Sequence, residues 1–303
     1  MKILLATDGS IHAQTASELL KRLPLPPDIE LTVMTVLSEE RPVYPDEMLL
    51  TDENHDMLNQ WREAEQNAAQ QQLARAAGAF AERGWSVTTR MDAGHVAQQI
   101  LQAADDLHID LIALGARGLS AIERFLLGSV SEKVMRHAPC SVLIARTEEK
   151  GASAPVERPV DDVMRILVAY DDSPAAQAAL AMLTSWPLTS QQQIHLITVL
   201  TLITYYRMDI LQKLSAEWQA EKRRVQAELE RAADRLRRTT AHVTTELQEG
   251  ADPSQLIIDA ATKINASLLM LGHAGKRGIE RLVVGSVANR VVHHAPCSVL
   301  LVR

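Results

Sequence analysis

The chain has 303 residues, 47% of them hydrophobic and 23% charged, with a formal net charge of -7. That length exceeds one ordinary core and points to two domains of a globular protein. Residues 1–150 hold 14 Lys+Arg against 22 Asp+Glu, and residues 151–303 hold 17 against 16; this acidic balance, with few aromatics, argues against a nucleic-acid partner. No apolar run is long enough to cross a bilayer, and the opening "MKILLATDGS" lacks the build of a signal peptide, so no membrane association is expected. Two cysteines, Cys140 and Cys297, occupy matching places in the two halves, which suits a reducing cytoplasm rather than a disulfide framework.

Ile3–Ala6 is a short apolar run ending near Asp8 and reads as a buried parallel strand. "SIHAQTASELLKRL" follows as a helix with Ser10 as its N-cap. "IELTVMTVL" is β-branched and reads as a second strand. From about Asp52 to Glu82, Ala, Gln, Glu and Leu predict a long helix closed by Gly84. A strand at Ser86–Met91, a helix at Val96–Leu107, a strand at Asp110–Leu114, a helix at Ser129–His137 and a strand at Ser141–Ala145 complete the first half.

The second half repeats the first. Gly115–Arg146 aligns with Gly272–Arg303 without a gap, with 17 of 32 positions identical and "HAPCSVL" whole. "KILLATDGS" at Lys2 answers "RILVAYDDS" at Arg165. The second long helix is expected at about Leu214–Arg238; its "EKRRVQAELERAADRLRR" interleaves acids and bases as a solvated face does. Between the halves, "TEEKGASAPVERPVDD" has a linker composition. The expected domains are therefore 1–146 and 163–303, joined by 147–162. Strand–helix alternation implies an α/β fold: two tandem open sheets, mostly parallel, flanked by helices.

One motif carries chemistry. "GARGLSAIERFLLGS" runs from Gly115 to Ser129 and returns as "GHAGKRGIERLVVGS" from Gly272 to Ser286, both with the spacing G-x2-G-x9-G-S. Each copy follows a strand and opens a helix, so it lies at the carboxyl edge of the sheet, where ligands of open parallel sheets bind. Glycines let backbone N–H groups approach a ligand, and the helix start adds free N–H groups and a positive dipole end. Together these suit phosphates. The chain has no G-x-x-x-x-G-K-[ST] and no G-x-G-x-x-G after its first strand, which excludes a P-loop and disfavours the usual dinucleotide fold.

These residues resemble the universal stress protein family, here as two fused domains. The likeness rests on "ATDGS", on both glycine loops, and on the closing "HAPCSVLIAR" and "HAPCSVLLVR". It implies a Rossmann-like, adenine nucleotide-binding five-stranded sheet of order 3-2-1-4-5 in each half. It also implies membership of the subgroup that binds ATP, expected here with Mg2+. By the resemblance, Asp8 and Asp171 contact the adenosine, and Val36 and Val199 meet the adenine through their backbone. Leu114 and Leu271 line the nucleotide. Gly115 and Gly118, with Gly272 and Gly275, approach the phosphates, and Gly128, Ser129 and Val130, with Gly285, Ser286 and Val287, form the second phosphate contact. Arg117 offers a cation in the first loop.

The halves differ at two of these places. Asp172 replaces Gly9, and Ala274 replaces Arg117. The added carboxylate weakens polyphosphate binding unless it faces away or meets a metal ion; Lys276 and Arg277 stand two or three residues past the lost arginine. His137, His293 and His294 are read as helix C-terminal residues rather than metal ligands. Cys140 and Cys297 are read as small core residues. Ser10 and Ser173 are read as caps rather than nucleophiles. Glu123-Arg124 and Glu280-Arg281 are read as exposed pairs, with the two arginines as alternative covers for the phosphates.

Three function classes follow. The first is an ATP-binding regulator of the stress response whose occupancy alters a partner surface, with at most slow ATP hydrolysis or self-phosphorylation. The second is an ATP-using transferase or ligase, for which "TDGSIHAQ" is too short a signal. The third is an interaction scaffold with incidental nucleotide. The resemblance implies dimerisation through the last strand, so an intramolecular pseudo-dimer of the two domains, a further homodimer and a protein partner of unknown identity are expected.

Overall fold

The computed structural model describes residues 1–38, 52–80, 83–118, 127–147, 163–201, 208–239, 242–275 and 284–303, without the side chains of 52–56, 58–59, 61–62 and 208–215. The chain forms two compact units, the bulk of the first within Met1–Ala145 and of the second within Arg146–Arg303. The expected linker lies, from residue 148 to 162, outside the described residues.

The first unit runs β1 (Lys2–Ala6), α1 (Ile11–Arg22), β2 (Glu30–Ser38), α2 (Asp52–Gly78), β3 (Ser86–Gly94), α3 (Val96–Asp106), β4 (Leu111–Gly115), α4 (Ser129–His137) and β5 (Ser141–Ala145). Its strands lie in the order β3-β2-β1-β4-β5. All the pairings are parallel, as Leu4↔Thr32 and Leu4↔Ile112 show for β1. β4 and β5 are buried along their whole length, which is why they read as unbroken apolar runs. Right-handed crossovers put α1 and α2 on one face and α3 beside α4 on the other. The order reverses at β1, so the tips of β1 and β4 diverge from their helices at one shared point of the carboxyl edge.

Two boundaries differ from the sequence reading. α2 stops at Gly78, not near residue 82. Phe80 leaves the helix, donates its N–H to the Ala77 carbonyl, and turns into the core, where it stacks on Trp85 at 5.4 Å. Burial of that aromatic pair outweighs another helical turn. β3 extends to Gly94 because its nine residues pair with all of β2, from Glu30↔Ser86 to Ser38↔Gly94.

The second unit repeats this plan as β6 (Met164–Ala169), α5 (Pro174–Thr184), β7 (Gln192–Thr201), α6 (Met208–Arg237), β8 (His242–Gly250), α7 (Pro253–Lys263), β9 (Leu268–Gly272), α8 (Ser286–His294) and β10 (Ser298–Val302). The order is β8-β7-β6-β9-β10, again parallel throughout. α6 begins earlier than expected, at Met208. Its charged face is laced by Arg224 with Glu221 and Glu228 and by Arg237 with Glu230 and Asp234, as interleaved charge predicts. Cys140 and Cys297 are buried thiols, in no disulfide, one residue before β5 and β10. Among the described residues no helix is long and apolar enough to cross a membrane.

One titratable group in this unit has a consequence for stability. His195 on β7 meets Thr244 Oγ1 through Nδ1 at 2.6 Å, while its buried Nε2 has no hydrogen-bond partner. Burial, then the Arg165 cation, holds its pKa below the ordinary histidine value; Glu246, itself bonded to Lys263, opposes this weakly. The folded chain therefore keeps the ring neutral where the unfolded chain takes up a proton. The stability this contributes is complete above about pH 7 and is lost as pH falls through the unfolded value of about 6.5 towards the folded one. His195→Leu should flatten the loss of thermal stability between pH 7 and pH 5 relative to the parent. Equal pH slopes for the two proteins would show that the ring does not govern acid sensitivity.

Candidate functional site

The site forms where β1 and β4 end. Ser10 caps α1 by accepting the Ala13 N–H at 3.2 Å, and Ser173 does the same for α5 through Ala176. Both serines are almost fully buried and act as caps, as their place before a helix predicts. Just upstream, Asp8 Oδ1 accepts the Ser10 N–H and Asp171 Oδ1 accepts the Ser173 N–H, each at 3.0 Å. That bond turns each carboxylate back over the strand tip and leaves its second oxygen facing the glycine loop.

The loop closes on itself. Gly128 N–H donates to the Ala116 carbonyl at 2.8 Å, and Gly285 N–H donates to the His273 carbonyl at 2.8 Å. Ala116 and His273 are themselves anchored, their N–H groups donating to the Ala145 and Val302 carbonyls. Buried Ser131 ties α4 to the same place through the Gly115 carbonyl at 2.7 Å. A Cβ on Gly118 would stand 2.7 Å from Asp8 Oδ2, and a Cβ on Gly275 would stand 2.9 Å from Asp171 Oδ2. A Cβ on Gly128 would lie 3.9 Å from Gly118 N, and one on Gly285 3.7 Å from Gly275 N. The acid, the second glycine and the helix-opening glycine thus meet at one point, in each unit separately.

Gly115 and Gly272 have a further reason to be glycine. A Cβ there would lie 2.6 Å from the main-chain carbon of His12 or of Ala175, and close to the next backbone nitrogen. Their missing side chain lets α1 and α5 cross the ends of β4 and β9. Leu114 and Leu271, one residue earlier, are buried.

Ser129 and Ser286 are exposed at the starts of α4 and α8, and Val130 and Val287 are half-buried behind them. Arg117 stands half-buried between Ala116 and Gly118. Val36 and Val199 lie near the carboxyl ends of β2 and β7, half-buried. The strand tips are held together by Thr35 Oγ1 donating to the Thr7 carbonyl at 2.8 Å and Thr198 Oγ1 donating to the Tyr170 carbonyl at 2.7 Å. These threonines escaped the sequence reading; their only signal was a polar residue in an apolar strand run.

In the second unit the site is a cavity of about 640 Å³, a size ordinary for small-molecule sites. Ile197, Val225, Leu229 and Ile257 supply apolar wall, and Leu271, Gly275, Gly285, Ser286 and Val287 border it. Every second-unit residue named from the resemblance, Asp171 and Val199 included, lines this cavity. Asp172 also lines it, in the left-handed conformation with φ 61°, where Gly9 has φ 76°. Its Oδ1 accepts from the Tyr170 hydroxyl at 2.8 Å and from Gln177 at 3.1 Å. Burial and then that hydrogen bond push the Tyr170 hydroxyl far above its ordinary pKa, so it remains a donor. Lys276, Arg277, Glu123, Arg124, Glu280 and Arg281 lie outside the described residues.

Among the described residues no group of three His, Cys, Asp or Glu side chains could hold a metal ion. His137, His293 and His294 sit in the last turns of α4 and α8, where a cation complements the helix dipole.

Fold and site together define a doubly wound α/β protein with a glycine-closed cradle at its sheet edge, built twice. The pattern of the Universal stress protein family matches residues 1–146 and again residues 163–303. The chain belongs to that family and carries two of its domains in tandem. A putative universal stress protein of Staphylococcus aureus (strain USA300) is 34% identical over 155 residues, spanning 48% of this chain and 84% of that protein. The crystal structure of a universal stress protein from Archaeoglobus fulgidus DSM 4304 is similar with a TM-score of 0.59 at 22% identity, over 100% of this chain and 96% of that one. A putative universal stress protein from Pseudomonas aeruginosa UCBPP-PA14 gives 0.56 at 16% identity, over 99% and 92%. At such identities the two structures bear on the fold alone.

Proposed function

We propose that each unit binds an adenine nucleotide with its phosphates in the glycine cradle, and that occupancy regulates a protein partner. The observation that carries this reading is the convergence, in both units, of an acid, two glycines and an open helix start. Asp8, Gly118 and Gly128 form it in one unit, and Asp171, Gly275 and Gly285 in the other. Gly118 and Gly275 bring no side chain of their own to this point; the atom nearest the place of their Cβ is a carboxylate oxygen of Asp8 or Asp171, at 2.7 or 2.9 Å, and the backbone N–H groups beside it suit a phosphate. The apolar wall of the second cavity suits a base, and strand-edge backbone at Val36 and Val199 suits its polar rim. ATP is the expected form. Its Mg2+ would sit on the phosphates, where it would offset the nearby carboxylates.

The reading is of a switch rather than an efficient enzyme: ligand at the loop changes which loop conformations are populated, and a partner reads that change. The test is to denature the purified protein and quantify the small molecules it releases per chain. Close to two adenine nucleotides per chain is expected, with ADP in the pool reporting any hydrolysis. No nucleotide, together with no thermal shift on adding Mg-ATP, would overturn the reading.

A further inference from the structure

Gln72 and Glu228 are equivalent residues of the two long helices. Each precedes a buried leucine, Leu73 or Leu229, each helix buries Ala69 or Val225 one turn earlier, and the chain buries Phe80, just past α2, or Leu236, in α6, seven residues after that leucine. In the first unit Gln72 rests directly on Gly9: a Cβ at Gly9 would stand 2.6 Å from its Oε1. Its Nε2 donates to Thr7 Oγ1 at 3.4 Å. In the second unit the equivalent positions hold Asp172 and Glu228. Both line the cavity; Asp172 accepts from the Tyr170 hydroxyl, and Glu228 acts on that hydroxyl through its charge alone. A neutral amide against a glycine is therefore replaced by two carboxylates at the wall of the site.

Neither carboxylate is free to leave. Asp172 is held by Tyr170 and Gln177. Glu228, its side chain only 16% exposed, is held by Arg224 at 2.5 Å. The same guanidinium also serves Glu221, another wall residue. Among the described residues lining the cavity, none is Lys or Arg. Ala274 stands where the first unit has Arg117.

We propose that Asp172 and Glu228 are specificity-determining residues that make the second site read the charge on the phosphate chain. They favour an adenine ligand carrying little uncompensated negative charge over a free triphosphate, while the first site, with Gly9 and Gln72, lacks this discrimination. The proposal rests on the nucleotide reading above. Like charges repel, and the repulsion grows with every ionised phosphate oxygen. At an effective dielectric of about 40, one unit pair about 6 Å apart costs roughly tenfold in affinity; the Arg224 cation lowers the share that falls to Glu228. An uncharged nucleoside feels none of it.

The experiment uses the full chain with Gly118→Val blocking the first cradle. Binding of adenosine, AMP and ATP is measured calorimetrically without divalent cation, at low ionic strength so that screening is weak. The comparison protein adds Asp172→Gly and Glu228→Gln, which copy the first unit; glycine accepts the left-handed conformation at 172 without strain. Lys276 and Arg277 are common to both proteins, so the comparison isolates the two carboxylates. The expected result is that the double change tightens ATP about tenfold or more and AMP less. Adenosine should move less than about twofold, since it carries no phosphate charge. Glu228→Gln alone, which leaves the Tyr170–Asp172 bond in place, should give part of the same shift. Equal shifts for ATP and adenosine, or no shift for either, would overturn the inference while leaving the nucleotide reading intact. No binding of any of the three by either protein would overturn both.

Discussion

Gly272→Ala should lower the stability of the second unit by about 2–3 kcal/mol, the cost of forcing atoms into a packed contact. The new Cβ would lie 2.6 Å from both the main-chain carbon and the Cβ of Ala175, and 2.8 Å from Ala176 N. Those atoms belong to the first turn of α5, which is pinned by the Ser173 cap and by buried Ala176, Ala179, Leu180 and Leu183. The helix cannot yield locally, so the change must shift it bodily or strain β9. For a unit of about 140 residues the loss corresponds to roughly 5–12 °C in unfolding midpoint. Gly115→Ala should act likewise on the first unit, through His12 and Ala13. Gly78→Ala is the control, because beyond the chain neighbours and the helix's own backbone no atom lies within 4 Å of its added Cβ; it should be neutral or slightly stabilising. A midpoint for Gly272→Ala within about 1 °C of the parent, far short of that expected drop, would show that α5 does not approach β9 so closely.

Gly118→Val with Gly275→Val should instead leave the fold standing and remove ligand. Here the added Cβ meets carboxylate oxygens, Asp8 Oδ2 at 2.7 Å and Asp171 Oδ2 at 2.9 Å, and no other atom within about the same distance. Both glycines are exposed, so a carboxylate can rotate away at small cost. The branched side chain then occupies the cradle, and two or more backbone hydrogen bonds to phosphate are lost. At about 1 kcal/mol each, and more to a charged acceptor, that is at least about 30-fold in affinity. Calorimetry with Mg-ATP and unfolding midpoints without ligand measure the two effects separately. If nucleotide affinity survives the double change, the phosphates do not lie in the cradle. If affinity falls while partner binding is unaltered, the nucleotide is incidental to a scaffold.

The two glycines of each loop therefore do different work, and the spacing alone does not separate them. In sequence, Gly115 and Gly118 look alike: both precede a loop residue at the sheet edge. In the structure one faces the backbone of α1 and the other faces the Asp8 carboxylate. The difference comes from a helix more than 90 residues earlier in the chain, so no local pattern carries it. The end of α2 has the same character. Residues 79–82 suit a helix by propensity, but Phe80 gains more by stacking on Trp85 than by continuing the spiral.

The sequence by itself determined the plan of this protein. Apolar runs of strand length alternating with helical periodicity define a parallel α/β unit, and the ungapped return of G-x2-G-x9-G-S and "HAPCSVL" shows that the unit occurs twice. Such features are legible because strand, helix, cap and turn preferences act over a few residues. It also marked the residues that meet at the sheet edge, since chain order places each at a strand end. Tertiary structure alone decided what those residues touch. Gln72 lies on Gly9, Glu228 takes the equivalent position at the wall of the second cavity, and Thr35 and Thr198 tie strand tips together. These contacts join residues tens of positions apart. The Gln72 contact and the placing of Glu228 depend on how the long helix is rotated over the sheet, which is set by which of its faces buries Leu73 or Leu229, and charge at the site follows from that rotation.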